Sequence, residues 1–179
     1  MGEEQWRVRK KLIIEDVDFT FFKTTQRGLN FSCAEIPGSK FDKLDLSLAD
    51  FYCANLASVS FNESLLSKAT LIKANMDYAS FVKSNMSHVN AFRGTFWNAD
   101  LRYVDLSYSD LRHTYFNGAN LEGSILIGAD FTGACLDHVN LSEADISDAN
   151  LSNCHMVGAS ISGIKYNHNT KFPKNVNFN

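Results

Sequence analysis

From Phe31 to Ile161 every fifth residue is apolar: Phe31, Ile36, Phe41, Leu46, Phe51, Leu56, Phe61 and onward without an insertion. Of these 27 centre positions only Ala91 is small. Two residues before each centre lies a second series, running from Leu29, Ala34 and Ser39 to Ala159. It holds Ala, Ser, Thr, Gly or Cys everywhere except at Leu29, Leu44, Val59, Val89, Val104 and Val139. A helix would scatter one apolar residue in five around its circumference, because about 3.6 residues per turn does not divide into five. A strand alternates in twos over short runs. A five-residue period fits a chain that turns a corner every five residues. The small residue and the centre, two apart, point to one side of a short extended segment. The remaining three residues form outer wall and corner.

The outer residues agree. Asp or Asn fills 15 of the 27 polar positions just before a centre, Asp50, Asn55, Asn75, Asp100 and Asp110 among them. Their short side chains bond nearby backbone groups at turns. Gly118, Gly123, Gly128, Gly133, Gly158 and Gly163 all fall on the second of the two corner positions that follow a centre, where a tight turn favours positive φ. A step of twenty aligns Phe41, Phe61 and Phe81, then Leu101, Leu121 and Leu141. It also aligns Ser47, Ser67, Ser87, Ser107 and Ser147, interrupted by Ile127. Four sides of five residues per turn is the consistent solution, and an internal repeat of this kind is a solenoid.

The triplets Ala54-Asn55-Leu56, Ala99-Asp100-Leu101, Ala119-Asn120-Leu121, Ala129-Asp130-Phe131 and Ala149-Asn150-Leu151 resemble the A-(D/N)-L-x-x motif of the pentapeptide-repeat family. The resemblance covers roughly residues 12–166. It implies an all-β fold, a right-handed quadrilateral parallel β-helix of about seven to eight coils. Rungs about 4.8 Å apart would make a rod on the order of 35 Å tall.

Residues 1–11 read as an N-terminal extension. The pairs Leu12/Ile14, Val17/Phe19 and Phe22/Thr24 repeat the pattern in a register shifted by two, so residues 12–28 read as an irregular first coil, with the slip near Gln26-Arg27-Gly28. Pro37 takes a corner position where its missing donor is tolerated. Residues 167–179 leave the period at Phe172, Val176 and Phe178 and read as a capping tail, since an open solenoid end exposes core and backbone. The resemblance adds a possible homodimer seam at this end, so the expected state is monomer or homodimer through the C-terminal end.

Composition changes the picture little. The chain is 45% hydrophobic and 21% charged, which suits a globular domain. The charged N-terminus lacks the apolar stretch of a secretory signal, and no apolar run approaches a membrane span. A cytoplasmic protein with reduced cysteines is expected, with no membrane partner. Charge is uneven. Residues 1–98 carry 12 basic and 11 acidic residues, residues 99–164 carry 2 and 9, and residues 165–179 add three lysines. The net charge of −3 disfavours nucleic acid as a partner.

Candidate chemistry mostly dissolves into the repeat. Gly123 to Gly128 has phosphate-loop spacing, but Ala129-Asp130 follow instead of Lys and Ser/Thr. Cys33 and Cys53 are stacked neighbours, although parallel side chains are poorly placed for a disulfide. Cys135 and His155 stack too, with His138 nearby, but a metal needs more ligands. A smooth rod offers no deep crevice for catalysis. No enzyme activity, cofactor or metal is expected. The least bland feature is an outward belt of aromatics interleaved with arginine: Phe92, Arg93, Trp97, Arg102, Tyr103, Tyr108, Arg112 and Tyr115. Protein interfaces favour this mixture, so the leading expectation is a non-catalytic scaffold that binds another protein. The alternative follows from the quinolone-resistance branch of the resembled family: an acidic rod imitating DNA at a type II topoisomerase (gyrase). Asp100, Asp105, Asp110, Asp130, Asp137, Asp145 and Asp148 would supply its acidic face.

Overall fold

A computed structural model describes residues 13, 15–20 and 27–174. The expected N-terminal extension lies outside the described residues, as do Leu12, Ile14, Phe22, Thr24 and Gln26 of the first coil and Val176 and Phe178 of the tail. Between Asn30 and Lys165 the chain forms single-residue parallel bridges whose partners are twenty residues apart. There are four ladders. Side 1 runs through Asn30, Asp50, Thr70, Asn90, Asp110, Asp130 and Asn150. Side 2 contains Glu35, Asn55, Asn75, Thr95, Tyr115, Cys135 and His155. Side 3 contains Lys40, Ser60, Ser80, Asp100, Asn120, Asn140 and Ser160, and side 4 contains Asp45, Leu65, Asn85, Asp105, Ile125, Asp145 and Lys165.

The five backbone N–H groups of a repeat explain the motif. In the stretch around Phe51, the small residue Ala54 donates back to Phe51, closing the turn. Asn55 donates to Ala34 one coil before, and Leu56 donates to Asn75 one coil after. The second corner residue, Ser58, also donates to the coil after, at Asp77. Only the first corner N–H, that of Ala57, is left without a backbone acceptor, and the Asn55 side chain accepts it at 3.2 Å. Asp50, Asn75, Asn85, Asp105 and Asn150 perform the same task for Tyr52, Asp77, Ser87, Ser107 and Ser152. The Asp/Asn preference is therefore a backbone requirement: it satisfies a donor that the ladder cannot. Pro37 sits at that same corner position and has no N–H to satisfy.

Inside, every centre from Ile36 to Leu151 is at most 1% exposed. The columns are continuous. Phe19, Phe41, Phe61 and Phe81 stack with centroids 4.5, 5.2 and 5.1 Å apart, and Leu101, Leu121 and Leu141 follow on the same side. Small Ala91 lies buried two residues after buried Val89, the larger residue offsetting the smaller.

Both ends keep the coil but change its length. Ile13 bridges Glu35 and Asp18 bridges Lys40, 22 residues on, so two extra residues are absorbed before Asn30. At the other end Lys171 bridges Asn150, 21 residues back, with one extra residue taken into the turn at Asn167–Thr170. Thr170 Oγ1 donates to the Ile146 carbonyl and Asn169 Nδ2 donates to Asp148. Phe172 packs against the core and edge-on to Tyr166. Met156, Ile161 and Ile164 of the last coil stay only partly buried.

Candidate protein-binding surface

Outward side chains are set by the corners. All 28 second corner positions from Gly28 to Gly163 have positive φ, between 52° and 70°. Twenty of them are not glycine, including Leu48, Tyr78, Arg93, Tyr103 and Tyr108. A left-handed L-residue costs roughly 1 kcal/mol, so the ladder holds these corners against local preference. The side chain at this position reaches over the next coil. A Cβ built on Gly123 would lie 2.6 Å from the Tyr103 ring, one on Gly128 2.7 Å from Tyr108, and one on Gly133 2.8 Å from His113. The glycines thus answer two demands, the φ of the corner and the ring lying above it.

This geometry divides the aromatic–arginine belt. Phe92, Arg93 and Arg112 lie on the corner between sides 1 and 2, Tyr115 on side 2, and Trp97 on the corner between sides 2 and 3. These five address one side of the rod. The other three do not: Arg102 and Tyr103 lie on the corner between sides 3 and 4, and Tyr108 on the corner between sides 4 and 1. The belt therefore winds round the rod, because successive repeats carry its residues to successive sides. Tyr103 and Tyr108 also have an internal task. Each covers a glycine, and Tyr108 stacks on His88 at 5.4 Å.

On the corner between sides 1 and 2 the contacts converge on Phe92. The Arg93 and Arg112 guanidinium carbons lie 5.2 and 5.6 Å from its ring centroid, and His113 meets it edge-on at 5.7 Å. Cations over an aromatic face are attracted by its quadrupole. Arg112 also grips Asp110 through two bonds of 2.8 and 2.7 Å. That hydrogen bonding holds the Asp110 carboxyl below its ordinary pKa. Arg102 does the same for Asp100. Arg93 has no carboxylate partner among the described residues and is exposed. Trp97 and Tyr115 are about half exposed, at 48% and 49%, and Tyr78 beside them at 64%. The first corner column below Phe92 holds Ile72 and Tyr52, which sequence reading did not single out although the step of twenty points to them.

Of the aspartates of the expected acidic face, five lie on sides 4 and 1 and the corner between them, and two lie elsewhere. Asp110 and Asp130 are on side 1, Asp137 on the corner between sides 2 and 3, Asp100 on side 3, Asp105 and Asp145 on side 4, and Asp148 on the corner between sides 4 and 1. The cause is the period: polar positions five apart fall on successive sides, so an acidic run in sequence is divided among sides. Most of these carboxylates also bind backbone. Asp105, Asp130 and Asp145 accept the N–H of Ser107, Thr132 and Ser147, and Asp137 accepts that of Val157.

Cys135 accepts from Asn117 Nδ2 at 3.1 Å and donates to Asp137 at 3.4 Å. No group of three or more His, Cys, Asp or Glu that could hold a metal occurs among the described residues. Burial pushes the Cys154 thiol up to about 12.

The sequence model "Pentapeptide repeats" matches the chain in 8 copies, over residues 54–90, 93–118, 105–143 and 124–163. The protein belongs to the pentapeptide-repeat family. Its architecture is the family's right-handed quadrilateral β-helix. Among solved structures, this pentapeptide-repeat protein is similar to HetL, a protein involved in heterocyst differentiation regulation from the cyanobacterium Nostoc sp. strain PCC 7120. The identity is 24%, over 86% of each chain, with a TM-score of 0.34. It is also similar to QnrB1, a plasmid-mediated fluoroquinolone resistance protein, at 17% identity over 88% of this chain and 91% of the other, with a TM-score of 0.36. A third, alr5209 from Nostoc PCC 7120, is 31% identical over 49% of this chain and 77% of its own, with a TM-score of 0.26. A comparison with the curated proteins finds no match.

Proposed function

We propose that this pentapeptide-repeat protein is a non-catalytic, cytoplasmic scaffold that binds another protein through side 2 and its two corners. The observation that carries the reading is the convergence of Arg93, Arg112 and His113 on Phe92, with exposed Trp97 at the next corner of the same coil and Tyr115 on side 2 of the next coil. Aromatic and arginine side chains dominate the energetics of protein interfaces. An adjacent ladder keeps them at fixed spacing, so little order is lost on binding. A partner offering carboxylates and apolar side chains complements Lys73, Arg93 and Arg112 around Phe92 and Ile72. The DNA-imitation alternative has less free charge to offer, since most of its carboxylates already accept backbone or arginine hydrogen bonds.

The test is affinity capture from native lysate with wild type and with the double variant Phe92→Ser/Trp97→Ser. Circular dichroism confirms that both fold, as both side chains point outward. The expected result is a partner recovered by wild type and reduced at least about tenfold by the variant, the loss of one hot spot. Equal recovery removes side 2 as the contact.

A further inference from the structure

We propose that Cys33 and Cys53 form a two-thiol site for a thiophilic ligand that bridges parallel sulfurs, a trivalent arsenical. Both thiols are free and exposed. They occupy the same second corner position, between sides 1 and 2, in consecutive coils. The bridges Asn30–Asp50 and Glu35–Asn55 lock these coils in register, and Cys33 N–H donates to the Tyr52 carbonyl at 2.7 Å. Both have positive φ, 58° and 54°. At this corner the His113 side chain reaches over Gly133 in the next coil, and Cys33 holds the same position relative to Cys53. The Tyr52 hydroxyl lies beside the pair: its hydrogen bond with Cys53 raises its pKa and Cys33 adds to the rise.

The spacing selects the ligand. Equivalent atoms in adjacent coils are about 4.8 Å apart, whereas a disulfide draws its Cβ atoms to about 3.5–4.5 Å. An interposed atom spans the wider gap, and thiolates favour soft ions. With an aryl arsine oxide, two As–S bonds form and the oxygen leaves as water, taking both thiol protons; arsenic stays trivalent.

The test titrates the fully reduced, full-length protein with a chromogenic aromatic disulfide, before and after treatment with one equivalent of phenylarsine oxide in the presence of a competing monothiol, the small thiol being removed by desalting before each titration. The expected result is the loss of two reactive thiols in wild type, reversed by a small dithiol. Cys135→Ser should retain that loss. Cys33→Ser and Cys53→Ser should each abolish it, with circular dichroism unchanged because both sites are on the surface. Cys154, buried and with its pKa pushed to about 12, should not report. The proposal is overturned if one equivalent blocks no thiols in wild type, or if either single variant still loses a pair.

Discussion

Phe61→Ala lowers the unfolding free energy by about 3–5 kcal/mol, the range for emptying a buried phenylalanine site. Phe61 is fully buried, stacked between Phe41 at 5.2 Å and Phe81 at 5.1 Å, with Phe51 edge-on at 5.7 Å. These offset and edge contacts add to the area term. Relaxation is limited because each coil is tied to the next by ladder bonds, such as Phe61 N–H to the Ser80 carbonyl at 2.7 Å. The walls therefore cannot collapse into the cavity. Urea denaturation followed by circular dichroism reads the change in midpoint at constant slope. A loss below about 1 kcal/mol, ordinary for a surface change, would show that the column is not a packed core.

The opposite error should also be costly. Ala74→Leu destabilises by about 1–3 kcal/mol through overpacking. Ala74 is fully exposed to neighbours and not at all to water; its column on side 2 continues through Ala54 below and Gly94 above. The space is already used. A Cβ placed on Gly94 would come within 3.0 Å of the Met76 methyl and of the Ala91 carbonyl. The same denaturation experiment checks it, with Ala74→Ser as the tolerated control because serine fills this position elsewhere, at Ser39 and Ser64. Leucine tolerated without loss would mean that small residues there are not required by the wall.

Much of this fold was legible because the repeat is a direct image of the coil. The centre series, the small series and the step of twenty each appear as a ladder or a buried column. The polar series was legible as a turn signal, but its reason needed coordinates: the first corner N–H is the donor that the coil leaves over. The surface was less legible. A run such as Phe92 to Tyr115 looks continuous in sequence, yet five-residue spacing sends Phe92, Trp97, Arg102 and Tyr108 to four different corners. Proximity on this rod follows multiples of twenty, which is why Ile72 and Tyr52 belong with Phe92 and why the seven aspartates are divided among three sides and two corners. The paired arginines were also hidden, since Arg102 and Arg112 look alike in sequence and only Arg112 reaches the Phe92 ring.

Every surface address above rests on consecutive coils being twenty residues apart. The direct test is a spin-label distance between Glu63→Cys and Glu143→Cys, with the four native cysteines replaced by serine or alanine. Both sites are exposed second corner positions in one column, four coils apart. The predicted result is a narrow distribution about the length of four rungs, about 19 Å, widened only by the label tethers. A broad distribution, or a mean well removed from four rungs, would contradict the stack and with it the assignment of side 2.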